Sequence, residues 1–136
     1  MSNMKYELAL KLKNAGFPQV FEPPFNFFYP DKEDNGGINH CSGQEVDGGC
    51  YGLGISRGKI RDWSFENKYN GEDVTVLIKV PTLEELIEAC GEDFKNLYVF
   101  KETWYACWSN ITTTRAGSGE TPTEAVAMLW LSLNQK

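Results

Sequence analysis

A chain of 136 residues, 41% apolar and 24% charged, has the length of one domain and enough apolar material for a core without disulfide or metal staples. Its net charge of -6 is uneven, with eight basic and nine acidic side chains in residues 1–68 against five and ten in residues 69–136, so an acidic second half without a basic stripe excludes nucleic acid as the expected partner. No run approaches the ~20 apolar residues of a membrane span, and MSNMKYELALKLK lacks a signal peptide's apolar block; the expectation is a bacterial or viral protein of the cytosol, without a membrane partner, whose Cys41, Cys50, Cys90 and Cys107 remain thiols.

Residues 4–15 place Leu8, Leu12 and Ala15 on one helical face with lysines opposite, Gly16 as the C-cap, and Pro18 beyond it to block continuation. In FPQVFEPPFNFFYP, Pro23 and Pro24 exclude helix, and residues 25–29 read as a brief edge strand. Eight of the thirteen glycines fall between Gly36 and Gly58, where regular structure carries a high entropic cost, so 31–58 reads as a long Gly-rich loop. Trp63, Phe65 and Tyr69 lead into Asn70-Gly71. Val74, Val76, Ile78 and Val80 then alternate strictly, which predicts a hairpin stopped by Pro81.

Thr82-Leu83-Glu84-Glu85 is a capping box, and Leu83, Leu86, Ile87 and Cys90 give the buried stripe of a helix that Gly91 ends. LYVFKETWYACW at 97–108 predicts a second hairpin turning near Lys101-Glu102. A polar, glycine-bearing segment leads to a second capping box, Thr121-Pro122-Thr123-Glu124, with Val126, Leu129, Trp130 and Leu133 as the stripe of the last helix. The order helix, Gly-rich loop, hairpin, helix, hairpin, helix predicts an α+β fold in a single domain, 1–136. One antiparallel sheet is built from hairpins, with amphipathic helices packed on one face.

PTLEELIEACG at 81–91, GETPTEAVAMLWLSLNQK at 119–136 and, more weakly, LKNAGFPQ at 12–19 resemble segments of small phage- and prophage-encoded proteins. Members of that group end in a TPEEAVA-x-LWL-x-LN helix after an aromatic hairpin, and Trp104, Ala106 and Trp108 stand where its W-x-A element falls. The resemblance implies a phage or prophage setting and transfers no catalytic residue. The hairpin-then-helix ending also resembles the double-stranded-RNA-binding-like half-fold of HicB-type antitoxins. Glu120 and Glu124 stand where RNA-binding members carry lysines, so the RNA function is not implied.

Four constellations invite chemistry. His40, Cys41 and Cys50 offer three soft metal ligands, with Cys90 or Cys107 as a fourth, yet paired Cys knuckles are missing and adjacent residues of an extended chain point apart. Cys41 beside His40, with Asp47 to orient the ring, imitates a nucleophile and base, but sequence neighbours rarely meet in that geometry. Residues 31–38 imitate the start of an EF-hand loop, and Ser42 stands where its closing glutamate belongs. Glu84/Glu85 and Glu92/Asp93 are explained by helix ends. No catalytic, cofactor or metal site is therefore assigned. Trp104 and Trp108 share a strand face and read as core, or as a contact hot spot where that face is exposed.

The expectation is a non-catalytic accessory protein of phage type that binds another protein or itself, with a host system as one target. A small-molecule or zinc-binding protein using the 31–58 loop is the alternative, and a Cys-dependent enzyme comes third.

Overall fold

A computed structural model describes residues 4–21, 24–30, 39–41, 53–62, 69 and 71–134. In chain order the elements are α1 (Tyr6–Asn14), β1 (Phe25–Phe28), β2 (Asn39–Cys41), β3 (Leu53–Ser56), β4 (Lys59–Asp62), a 3-10 turn at Val74–Val76, β5 (Ile78–Val80), α2 (Leu83–Cys90), β6 (Phe94–Phe100), β7 (Thr103–Ser109), β8 (Thr114–Gly119) and α3 (Pro122–Asn134). The strands form separate antiparallel sheets, β2-β1-β5, β3-β4 and β6-β7-β8. This corrects the expected α+β arrangement of one hairpin-built sheet and the order helix, loop, hairpin, helix, hairpin, helix. The chain divides into two compact units, Pro18–Val80 and a discontinuous one combining Met1–Phe17 with Pro81–Lys136.

In the unit Pro18–Val80, β1 is the central strand rather than an edge, pairing with β2 on one side and β5 on the other. Pro24 stands just before β1, so the ladder loses no donor to proline. Phe25, Phe27 and Tyr29 point to one side, Phe25 tilted against Phe27 and Phe27 edge to face with Tyr29, and Tyr69 stacks on Tyr29 at 5.0 Å. Cys41, Ile60, Val74 and Leu77 complete that core.

The expected strand over 74–80 forms only at Ile78–Val80. Asp73 diverts its first half: the carboxylate accepts from the Thr75 backbone N–H and hydroxyl, both at 3.0 Å, and caps the 3-10 turn. Those same bonds, the backbone one first, hold the Asp73 carboxyl below its ordinary value. Trp63, Phe65 and Asn70 of the expected hairpin lie outside the described residues; beyond them the Gly71 N–H donates to the Ile60 carbonyl and the Ile60 N–H to that of Glu72. The hairpin β3-β4 turns at Arg57 and Gly58 with φ of 53° and 75°, inside the segment expected to be loop.

In the other unit, α1 ends in a Schellman motif: the Phe17 N–H reaches the Leu12 carbonyl and the Gly16 N–H that of Lys13, with Gly16 at φ 93°. The motif aims Phe17 at Trp130 of α3, ring centroids 5.0 Å apart. The capping box of α2 forms in full, and the Thr121 hydroxyl accepts the Glu124 N–H at the start of α3. The expected hairpin turns at Lys101-Glu102, but a third strand, β8, extends it into a meander. β8 is the glycine-bearing segment TRAGSG. Gly117 lies against the α3 backbone at Ala125 and Leu129, and Gly119 against Glu124, so the missing side chains are what let the helix lie on the strand.

Candidate functional site

The meander has two unlike faces. Paired residues of antiparallel strands share a face, so Leu97, Ala106 and Gly117 line one side, and Val99, Trp104 and Gly119 continue it. Gly117 and Gly119 meet α3, which identifies this as the packed face. Trp104 and Trp108 both lie there, half-buried, and the Trp108 indole N–H donates to the Cys90 carbonyl at the end of α2, 3.1 Å away. The tryptophans share a face, as the strand parity required, and that face packs against the helices.

The opposite face carries Asn96, Tyr98, Phe100, Tyr105 and Cys107, together with Ser118. Tyr98 and Tyr105 stack at 5.4 Å across the strands. Tyr98 is 47% and Phe100 59% exposed, and the Lys101 ammonium sits 5.5 Å from the centre of the Phe100 ring. An exposed cluster of rings with hydroxyl and amide groups beside it suits a protein contact, because rigid aromatics bring contact area at little entropic cost. Residue type along β7 singles out Trp104 and Trp108 and leaves this cluster unmarked. The signal was available: Tyr105 has the opposite parity to the tryptophans, and a two-residue turn then puts Tyr98 and Phe100 beside it.

The loop candidates do not gather. His40 in β2 is exposed, its Nδ1 2.7 Å from Asn26 Oδ1 on the neighbouring strand. Cys41, next along the strand, faces the other way and is fully buried in the Phe25–Phe27 core. Cys50, Asp47, Ser42 and the EF-hand-like residues 31–38 lie outside the described residues. Cys90 is buried, and burial pushes its thiol up to about 11. Cys107 is half-buried on the open face of β7. Among the described residues no three His, Cys, Asp or Glu side chains come together to hold a metal ion.

A shallow groove of about 180 Å³ runs between α1 and α3, bordered by Met4, Leu8 and Met128 with Lys5, Lys11 and Glu124 at its rim. Among the described residues no helix is long and apolar enough to cross a membrane. Compared with protein-family models, curated proteins and solved structures, the chain matches none of them.

Proposed function

We propose that this protein is a non-catalytic accessory module of phage or prophage type, acting in the bacterial cytosol by binding another protein through the open face of the meander. The observation that carries the reading is the exposed rings of Tyr98 and Phe100, with Tyr98 stacked on the half-buried Tyr105, on a sheet whose other face is taken by α3. Exposed rings held on a rigid strand pair make strong anchors, since little is lost on ordering them when a partner covers them. The phage setting rests on the resemblance of residues 81–91 and 119–136.

The test is affinity capture from bacterial lysate, comparing the wild-type protein with the variant Tyr98→Ala/Phe100→Ala/Tyr105→Ala. A host or phage protein retained by the wild type and lost by the variant is the expected result. The same set of retained proteins for both, or none for either, would overturn the reading.

A further inference from the structure

We draw no further inference here: the strongest candidate, the outer edge of β6, where Tyr98, Val99 and Phe100 are exposed together, carries nothing, because its Lys95 and Lys101 stand close to Asp93 and Glu102 and nothing in the structure shows what covers it.

Discussion

Cys90 shows how a single position in α2 joins packing to chemistry. Its place on the predicted stripe, seven residues after Leu83, was legible from helical periodicity, and the side chain is 6% exposed. Its partner was not legible: the Trp108 indole reaches the Cys90 carbonyl from a strand eighteen residues on, a meeting that only the tertiary fold creates. Burial withholds water from the thiolate and pushes the thiol up to about 11 from the ordinary 9.0. The sign follows from proton counting. Below pH 9.0 folded and unfolded chains both hold the proton; above it the unfolded chain sheds a proton that the folded chain keeps until about 11. Stability from this group is complete below the unfolded value and is lost as pH rises through the folded one. In urea titrations at rising pH, the wild-type midpoint is expected to fall more steeply above pH 9.0 than that of Cys90→Ala. Parallel curves would show that the thiol titrates as if exposed.

Helix ends were legible at the level of elements because a capping box and a Schellman glycine are written in four or five adjacent residues. Thr82 with Glu85, and Gly16 with Phe17, do what their local pattern requires. Strands were less legible, for two different physical reasons. At 74–80 the alternation of Val74, Val76, Ile78 and Val80 is real, but the Asp73 cap coils the first half, and Leu77 through Val80 are all buried, as in a strand covered on both faces. At 114–119 the sequence TRAGSG lacks every mark of a strand, because its glycines answer to the helix above rather than to the sheet. A Cβ at Gly117 would stand 2.8 Å from the Leu129 Cα and closer still to the Ala125 carbonyl and Leu129 nitrogen. Backbone cannot yield as a side-chain end can, so Gly117→Ala is expected to cost ~3 kcal/mol, the upper part of the range for overpacked sites. Urea unfolding at neutral pH measures it, and a loss below ~0.5 kcal/mol would mean that α3 rides higher over β8 than its contacts indicate.

At the scale of the whole molecule, pairing between distant segments was the least legible property. β1 takes β5 as a neighbour across some fifty residues, and residues up to Phe17 join those from Pro81 onward in one unit, yet no local pattern names a distant partner. Charge, by contrast, is additive and can be read directly. At neutral pH the net charge of -6 keeps molecules apart, although Tyr98, Val99 and Phe100 are exposed together. As pH falls towards the isoelectric point of about 4.8, carboxylates take up protons and the net charge falls towards zero. Long-range repulsion then vanishes, and the exposed rings of the meander are left as an adhesive patch among the described residues. Light scattering is therefore expected to rise as pH is lowered from 7 towards about 5, and to rise less for Tyr98→Ser/Phe100→Ser, which keeps the charge and removes the rings. Equal scattering from the two proteins would mean that loss of charge alone drives association, and that the open face takes no special part in it.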